Sequence, residues 1–367
     1  MARGYHAAGV IFMSQRLRVL HVGTGRTGRV VLRLVLETPG LELVGHYVNS
    51  PDKVGRDSGE LVDRPVVGVL ATNDFDALLA LDADCVTYLA TGAGRAVDDV
   101  VDQVCAILAS GKNVVATLGE LTHPPTLGEA PLARLQRACQ EGGVSLLGAG
   151  IAPGFAMDVL PVQLATLCAT PTKIVVSERI LCGDFTGAGF FSALGFGTTP
   201  EADARAYRPG TGAAMFGGPI ALMAQGLGWS LDEIRDRKDV AVARGDFSCP
   251  AGDVSAGTII SVRVVAEGIV GGVPRLVISE AWTLSDDAVD DWDPRPTPGC
   301  PPRLTRVTID GTPSVSVDLA LAGSPLPGAD ATAARVVTAI DAVCAAAPGV
   351  YGVLDLPISP QLTGALR

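Results

Sequence analysis

The chain has 367 residues, of which 48% are hydrophobic and 18% are charged, a composition that predicts a folded globular protein of two domains and excludes a disordered one. Its formal net charge of -11 argues against nucleic acid and anionic membrane surfaces as partners. The sequence has no apolar run of the roughly 18 residues that suggest a membrane span, so no membrane partner is expected.

The cysteines and histidines indicate neither disulfides nor a metal site. The eight cysteines are scattered without the CxxC spacing of metal and redox motifs, which predicts free thiols in a reducing cytoplasm. The four histidines show no ligand spacing with each other or with cysteine, so no metal is predicted.

The first half of the chain alternates between short apolar strands and helices, after a predicted disordered extension of residues 1–15. Strands are predicted at residues 17–23, 41–48, 65–70, 85–90, 113–117 and 144–148. Helices are predicted at residues 28–36, 74–81, 96–110 and 127–140. The strands are continuously apolar, as in a parallel sheet that is covered on both faces. Residues 16–156 are therefore predicted to form a Rossmann-type doubly wound parallel sheet.

The second half has a different pattern, in which strands follow one another without intervening helices. Strands are predicted at residues 173–180, 257–266, 274–283, 303–310 and 314–321, with helices at 155–167 and 219–235. This order predicts a second α+β domain, residues 157–330, built on a largely antiparallel sheet. The apolar helix at 331–346, within the final segment 331–367, is expected to return to the first domain.

A glycine-rich loop follows the first strand and opens the first helix. Its sequence, Gly23-Thr24-Gly25-Arg26-Thr27-Gly28, matches G-x-G-x-x-G in the strand–loop–helix context that makes the motif specific. The glycines permit a tight turn, close approach of the backbone to a pyrophosphate and close packing of helix on strand. All six residues are predicted to bind a dinucleotide cofactor.

The end of the second strand indicates which cofactor is preferred. NAD sites usually carry Asp or Glu there to hold the ribose 2′-hydroxyl, but this chain has Val48-Asn49-Ser50. Asn49, Ser50 and Lys53, together with Arg26, favour the 2′-phosphate of NADP, with NAD possible. The polar segment 50–60 has two interpretations, a surface loop or a loop at the cofactor's edge. Thr91 and Gly92, after the fourth strand, are also predicted to contact the cofactor.

Glu120 ends an apolar strand, where a hydrophobic residue would be less costly. Because it follows the fifth strand at the edge where ligands of such sheets bind, it is predicted to be a general acid or base beside the nicotinamide. The alternative is a structural carboxylate that caps a neighbouring segment. His123 is a candidate for the substrate pocket, although a lone histidine is more often structural.

The turn after the sixth strand, residues 148–155, is predicted to lie beside the cofactor, with Ala152 as a contact. The substrate pocket is expected to be apolar and centred on residues 185–197. Simple core packing is the alternative for each aromatic or methionine candidate. These candidates are Phe155, Met157, Phe190, Phe191, Phe196 and Trp282.

Five segments resemble those of dihydrodipicolinate reductase-like oxidoreductases, and most closely the branch of 2,4-diaminopentanoate dehydrogenase and native amine dehydrogenases. They are residues 23–28, 50–61, 113–120, 148–158 and 347–357. The resemblance implies a nucleotide-binding domain, a second domain that also forms a homodimer, interconversion of amines and ketones with NAD(P)H, and an acid role for Glu120. The chain departs from the family at Gly119, where a second glutamate is frequent, and at Ala152, where asparagine is common.

Three hypotheses of function follow. The first is an NAD(P)H-dependent amine dehydrogenase that interconverts a ketone or aldehyde plus ammonia with a primary amine, with Glu120 as the acid/base. The second, favoured by Ala152, is an imine, enone or ketone reductase on the same fold that uses no ammonia. The third is a nucleotide-sensing or scaffold protein without turnover, which the intact glycine loop together with Glu120 opposes.

Overall fold

The computed structural model describes residues 16–90, 95–183, 191–192, 194–200, 209–250, 252–285, 292–294 and 301–359. The predicted extension at residues 1–15 lies outside the described residues, as do the site candidates Thr91, Gly92 and Phe190.

The first domain is built on a seven-stranded parallel sheet with the strand order β15-β6-β5-β4-β1-β2-β3. The strands are β1 Leu17–Val22, β2 Leu41–Tyr47, β3 Ala71–Thr72, β4 Cys85–Tyr88, β5 Asn113–Ala116, β6 Ser145–Gly148 and, from the chain's end, β15 Gly349–Tyr351. This order confirms the predicted doubly wound parallel sheet. Strand β15 was not predicted, because three half-buried residues carry no clear strand pattern.

Helices cover both faces of this sheet, which explains the continuously apolar strands. One face packs against α3 (Val97–Ala109) and α4 (Glu129–Gly142). The other packs against α1 (Arg26–Glu37) and the two C-terminal helices α7 (Pro327–Thr338) and α8 (Ile340–Ala345). The short helix α2 (Phe75–Leu79) begins at Asp74, whose carboxylate accepts a hydrogen bond from the Ala77 N–H at 2.9 Å, as predicted for a helix cap.

The second domain is built on a six-stranded sheet with the order β14-β13-β7-β12-β11-β8. All neighbouring pairs are antiparallel except β7 and β12, which confirms a largely antiparallel sheet. Its strands are β7 Lys173–Leu181, β8 Glu233–Val242, β11 Ile259–Val270, β12 Val273–Thr283, β13 Arg303–Asp310 and β14 Val315–Leu321, with a hairpin of β9 Phe247–Cys249 and β10 Gly252–Val254 beside them. Helices α5 (Val159–Ala165) and α6 (Thr211–Leu227) pack on one face of the sheet. The predicted domain limits at residues 156 and 330 stay predictions.

The predicted strand at residues 65–70 is wrong, since the strand at this edge forms only at Ala71–Thr72. The backbone N–H groups of Val67 and Gly68 bind the carboxylate of Asp57 instead of a neighbouring strand. Gly68 also has a φ of 81°, which is incompatible with an extended strand. A carboxylate 10 residues before Val67 therefore overrides the strand propensity of the valines.

Three predicted helices have different limits in the structure. The helix predicted at 219–235 lies at Thr211–Leu227 and ends at Gly228, which is left-handed at φ 65°, so that β8 can begin at Glu233. The helix predicted at 155–167 begins only after Asp158, which caps it, and the helix predicted at 331–346 is divided at Ala339. Within the described ranges, none of the helices has both the length and the apolar character needed to span a bilayer.

Candidate active site

The glycine loop lies where β1 passes into α1, and two of its glycines are required by packing. Gly23 has a φ of 104°, and a Cβ atom there would lie 3.0 Å from the backbone carbon of Leu89 after β4. A Cβ atom on Gly28 would overlap the carbonyl oxygen of Gly23. The loop can therefore close only with glycine at both positions.

Gly25 has a different reason to be glycine. It is exposed, a Cβ atom there would meet nothing within 4 Å, and no side chain of the described residues caps the helix that follows. The first turn of α1, which begins with Arg26 and the half-buried Thr27, contains no acidic residue. The N–H groups of this turn thus face open space with the positive end of the helix dipole, an arrangement that fits the pyrophosphate of a dinucleotide.

Lys53 joins the segment after β2 to the glycine loop. Its Nζ atom donates hydrogen bonds to the carbonyl oxygen of Thr24 at 3.2 Å and to its hydroxyl at 3.0 Å. Asn49 is exposed and Ser50 half-buried at the end of β2. The segment 50–60 therefore borders the glycine loop through Lys53.

Asp57 fixes the shape of that segment, and the sequence pattern alone did not identify it. Its carboxylate accepts hydrogen bonds from the N–H groups of Gly59 at 2.8 Å, Val67 at 3.1 Å and Gly68 at 2.8 Å. Burial works to raise the pKa of Asp57, but the backbone hydrogen bonds outweigh it and lower the pKa. The ionised carboxylate thereby ties residues 57–59 to the backbone at Val67 and Gly68.

His21 supports the glycine loop from below and was also missed. Its Nε2 atom donates to the carbonyl oxygen of Gly23 at 2.7 Å, and its Nδ1 atom accepts from the hydroxyl of Thr87 at 2.8 Å. Burial lowers the pKa of His21 to about 4, so the ring is neutral at physiological pH. The signal available in the sequence was a histidine inside an apolar strand, two residues before the first glycine.

A second buried histidine, His46 on β2, lies beside the first, with ring centroids 5.4 Å apart. Its Nδ1 atom is 3.0 Å from the hydroxyl of Ser58. Burial, followed by the neighbouring His21 and the charge of Lys53, lowers the pKa of His46 to about 3. Both rings are therefore uncharged at physiological pH and support the edge of the sheet beside the glycine loop.

Glu120 lies in a short turn, Gly119–Thr122, directly after β5, and is half-buried. The turn after β6 packs tightly against it, because a Cβ atom on Gly148 would overlap the backbone of Leu121. A Cβ atom on Gly119 would lie 3.3 Å from Cγ of Pro153. Gly119 therefore leaves room for the Ala152–Pro153 turn, which explains in part why a second glutamate is absent.

Helix α6 of the second domain lies on the same turn. A Cβ atom on Gly218 would be 3.9 Å from the carbonyl oxygen of Gly119, 3.9 Å from Cβ of His123 and 3.6 Å from Oγ1 of Thr126. Arg26 also lies near Cys182 of the second domain. Burial raises the pKa of Cys182 to about 12, and the positive charge of Arg26 opposes this rise. The crevice between the domains is thus bordered by the glycine loop, the Glu120 turn and α6.

His123 is buried beside the chain's C-terminal segment. Burial lowers the pKa of His123, and the negative charge of Asp355 opposes this shift. The neighbouring Thr122 accepts a hydrogen bond from the Val353 N–H at 3.1 Å. This placement gives His123 packing contacts with the tail and α6.

The turn after β6 carries Ala152, which is half-buried and packs against the core of the second domain. Asp158, at the end of this turn, accepts hydrogen bonds from the N–H groups of Gly154 and Val159, both at 2.7 Å. Burial raises the pKa of Asp158 to about 6. The turn is therefore held at both ends, and Ala152 lies where the two domains meet.

The candidates for the substrate pocket fall into two groups. Met157 is fully buried in the core beneath α6, and Phe155 packs in a small cluster with α5, α6 and the tail. Phe191 and Phe196 contact each other edge to face at 5.7 Å in another cluster, against which the partly buried Trp282 also packs. The structure brings the second group together near one end of the second sheet and gives the first group a packing role.

These features define the class of the protein. A dinucleotide-dependent dehydrogenase has a doubly wound parallel sheet with a glycine loop at its first crossover. This protein has that sheet and loop, together with an open helix N-terminus and a carboxylate at the same edge. The protein is an NAD(P)-dependent oxidoreductase with a Rossmann fold.

Comparison with known proteins gives the family. Residues 155–367 match the 2,4-diaminopentanoate dehydrogenase C-terminal domain, and residues 17–115 match the dihydrodipicolinate reductase N-terminus. An amine dehydrogenase of Streptomyces virginiae is 34% identical over 353 residues, covering 93% of this chain and 96% of that protein. A 2,4-diaminopentanoate dehydrogenase of Acetoanaerobium sticklandii is 25% identical, covering 96% of this chain and 97% of that protein. The chain belongs to this family of amine and diaminopentanoate dehydrogenases, as the resemblance predicted.

The fold has a close counterpart among solved structures. The amine dehydrogenase from Mycobacterium smegmatis superposes with a TM-score of 0.74 at 20% identity, covering 95% of this chain and 99% of that chain. A probable dehydrogenase from Thermotoga maritima gives a TM-score of 0.54 at 14% identity, covering 92% and 91%. At these identities the similarities show that the helices and strands are arranged in the same way, which confirms the predicted fold.

Proposed function

We propose that the protein interconverts a ketone or aldehyde plus ammonia with a primary amine, using NADP(H), with Glu120 as the acid/base. The observation that carries this proposal is the position of Glu120. The residue is half-buried in the turn directly after β5, which borders the crevice, and no residue within the described ranges forms a hydrogen bond or ion pair with its carboxylate. The name of the Streptomyces virginiae relative, amine dehydrogenase, supports the choice of reaction.

In the proposed reaction, the chain's own residues bind the reactants and move protons. Ammonia adds to the carbonyl carbon, and solvent supplies one proton to the resulting alkoxide oxygen. Glu120 then accepts a proton from the added nitrogen and returns it to the hydroxyl, which leaves as water and gives the iminium. The nicotinamide, when bound, supplies the hydride that reduces the resulting iminium carbon. The crossing of α6 over the Glu120 turn would limit the access of water to this carbon.

We propose NADP as the preferred cofactor, with NAD accepted less well. The end of β2 carries Asn49 and Ser50 and no carboxylate to repel a 2′-phosphate. Lys53 is held at the glycine loop by Thr24, where its charge can attract that phosphate. Titration of the protein with both reduced cofactors tests this, and tighter binding of NADH than of NADPH contradicts it.

The role of Glu120 is tested by Glu120→Gln, which keeps the shape of the side chain but cannot carry the proton. We expect turnover to fall about a hundredfold or more, with the dissociation constant of NADPH unchanged. Glu129→Gln, at the exposed start of α4, is the matched control and should retain full activity. Undiminished turnover of Glu120→Gln removes the residue from the mechanism.

A second function, reduction of an imine, enone or ketone without ammonia, is favoured by Ala152. An alanine at this turn supplies no side-chain hydrogen bond to the reactants. The two functions are distinguished by NADPH oxidation over a panel of ketones with and without ammonium. Oxidation that does not depend on ammonium supports the reductase.

The second domain is proposed to form a homodimer, and the protein is proposed to act in the cytoplasm, as the free cysteines of the described ranges would permit. The molar mass in solution, measured by light scattering, tests the dimer, and a monomer at working concentrations contradicts it.

A further inference from the structure

Two cysteines from distant parts of the chain meet at one face of the first sheet. Cys85 is the first residue of β4, and Cys344 lies in α8. The Sγ atom of Cys344 is 3.8 Å from the carbonyl oxygen of Asp84, the residue before Cys85, and its thiol donates a hydrogen bond to this oxygen. A further hydrogen bond joins the thiols of Cys85 and Cys344. The two sulfur atoms are therefore neighbours, although about 260 residues separate them along the chain.

Hydrogen bonds hold the sheet and the end of α8 together at this place. The side-chain amide of Asn113 donates to the same Asp84 carbonyl oxygen at 2.9 Å, and its oxygen accepts from the Ser145 N–H at 2.9 Å. The hydroxyl of Ser145 in turn donates to the carbonyl oxygen of Ala347, just after α8, at 2.8 Å. Both cysteines also pack in one apolar cluster. The backbone on both sides of the two thiols is thereby fixed.

The two thiols differ in their access to solvent. Cys85 has no exposed surface, whereas Cys344 is half-buried. The hydrogen bond with Cys344, and then burial, raise the pKa of Cys85 well above its usual value, so this residue stays a thiol. Because an oxidant in solution can reach Cys344 and not Cys85, Cys344 is the thiol that reacts first and Cys85 is the resolving thiol beside it.

A metal ion is a poor alternative as the ligand of this pair. Within the described ranges, no group of three or more histidine, cysteine or acidic side chains is placed to hold a metal. A structural zinc site needs four ligands. Two neighbouring thiols without further ligands instead have the chemistry of a disulfide.

We propose that Cys85 and Cys344 form an oxidative modification site, at which a hydroperoxide converts the two thiols into a disulfide that fastens α8 to β4. The sulfur of Cys344 attacks the peroxide and the O–O bond breaks, which gives a sulfenic acid on Cys344 and an alcohol that carries away the thiol proton. The thiol of Cys85 then attacks this sulfur, the S–O bond breaks, and the hydroxyl leaves as water with the proton of Cys85. Two thiols and one hydroperoxide thus give one disulfide, one alcohol and one water.

The disulfide is expected to stabilise the fold without disturbing the cofactor site. It closes a loop of about 260 residues, which restricts the unfolded chain and favours the folded state. Cys85 stands at the amino end of β4, whereas the glycine loop and the Glu120 turn follow the carboxyl ends of β1 and β5. Cys85 and Tyr88, the two ends of β4, are about 10 Å apart. Oxidation should therefore raise the melting temperature and leave the affinity for NADPH unchanged.

The test treats the folded, reduced protein with excess hydrogen peroxide, blocks the remaining thiols and analyses a non-reducing tryptic digest by mass spectrometry. The peptides 57–95 and 336–367 each contain a single cysteine, Cys85 and Cys344 respectively. These two peptides should be found joined, and dithiothreitol should separate them. The control pair is Cys105 and Cys139 on the neighbouring helices α3 and α4, since the Cys139 thiol donates to a backbone carbonyl oxygen. The control peptides should stay unlinked.

Two single substitutions test the order of the steps. In Cys85→Ala the sulfenic acid on Cys344 has no partner thiol, so dimedone should trap it on peptide 336–367. In Cys344→Ser the same treatment should leave Cys85 a free thiol, because no exposed sulfur starts the reaction. Dimedone labelling of Cys85 in the folded Cys344→Ser variant contradicts this order. The cross-link in the wild type is measured independently of whether either variant folds.

Thermal denaturation and cofactor titration measure the effect of the disulfide. The melting temperature of the wild type should rise by about 5 °C or more on oxidation, whereas Cys344→Ser should melt at the same temperature before and after treatment. The dissociation constant of NADPH, measured by fluorescence, should be the same for oxidised and reduced wild type. Unlinked peptides after treatment with excess peroxide overturn the inference. Linked protein that melts no higher than the reduced protein, or that loses NADPH binding while treated Cys344→Ser keeps it, also overturns it.

Discussion

The substitution His21→Gln is expected to flatten the acid dependence of the protein's stability. His21 is fully buried and neutral, and its pKa is lowered by burial from 6.5 to about 4. Since the unfolded chain takes up a proton near pH 6.5 and the folded chain does not, acidification through this interval favours unfolding. The stability that neutral His21 allows is therefore present above about pH 6.5 and is lost as the pH falls towards 4.

The size of the effect follows from the two pKa values. Between about pH 7.5 and about pH 5, the protonation of His21 in the unfolded chain alone should lower the free energy of unfolding by about 2 kcal/mol. Glutamine can still donate a hydrogen bond to the carbonyl oxygen of Gly23 but does not titrate. The variant should be less stable than the wild type at about pH 7.5, and the difference should shrink by about 2 kcal/mol at about pH 5.

The assay is urea denaturation followed by circular dichroism at both pH values. Thr87→Val, which removes the partner of Nδ1 without removing a titrating group, is the matched control and should keep the pH dependence of the wild type. If wild type and His21→Gln differ by the same free energy at both pH values, His21 does not stay neutral in the folded protein and the argument fails.

Three further predictions concern the other contacts of the site. Gly28→Ala should destabilise the fold by about 2 kcal/mol or more and abolish cofactor binding, because its Cβ atom overlaps Gly23. Gly25→Ala should leave the melting temperature unchanged and weaken cofactor binding about tenfold. Equal melting temperatures for both variants would contradict this reasoning. Gly218→Leu should reduce kcat with little change in cofactor affinity, since atoms beyond Cβ press on the Glu120 turn, and steady-state kinetics with fluorescence titration measure both quantities. Asp57→Ala should lower the free energy of unfolding by about 2–4 kcal/mol by leaving backbone N–H groups unpaired, while the exposed Asp52→Ala should not, as chemical denaturation can show.

Part of the candidate site was accessible from the sequence because it depends on local patterns. The glycine loop is a contiguous motif between β1 and α1, and the close contact of Gly28 with Gly23 lies within it. Glu120 could be located because a parallel sheet brings the carboxyl ends of its strands to one edge. The aromatic candidates were less accessible, since Met157 and Phe191 have similar sequence surroundings but belong to different clusters.

Sequence alone determined the fold class, the family and the glycine loop at the edge of the sheet where the cofactor is proposed to bind, because strand and helix periodicity and a contiguous glycine motif are properties of neighbouring residues. Tertiary structure decided the remaining features, which depend on contacts between residues that are not neighbours in the chain. Asp57 converts a predicted strand into a loop, His21 becomes a neutral support, and α6 is placed over Glu120. The Glu178–Arg303 ion pair likewise forms only when β7 and β13 lie side by side, since burial and pairing are set by packing and not by the residues next in sequence.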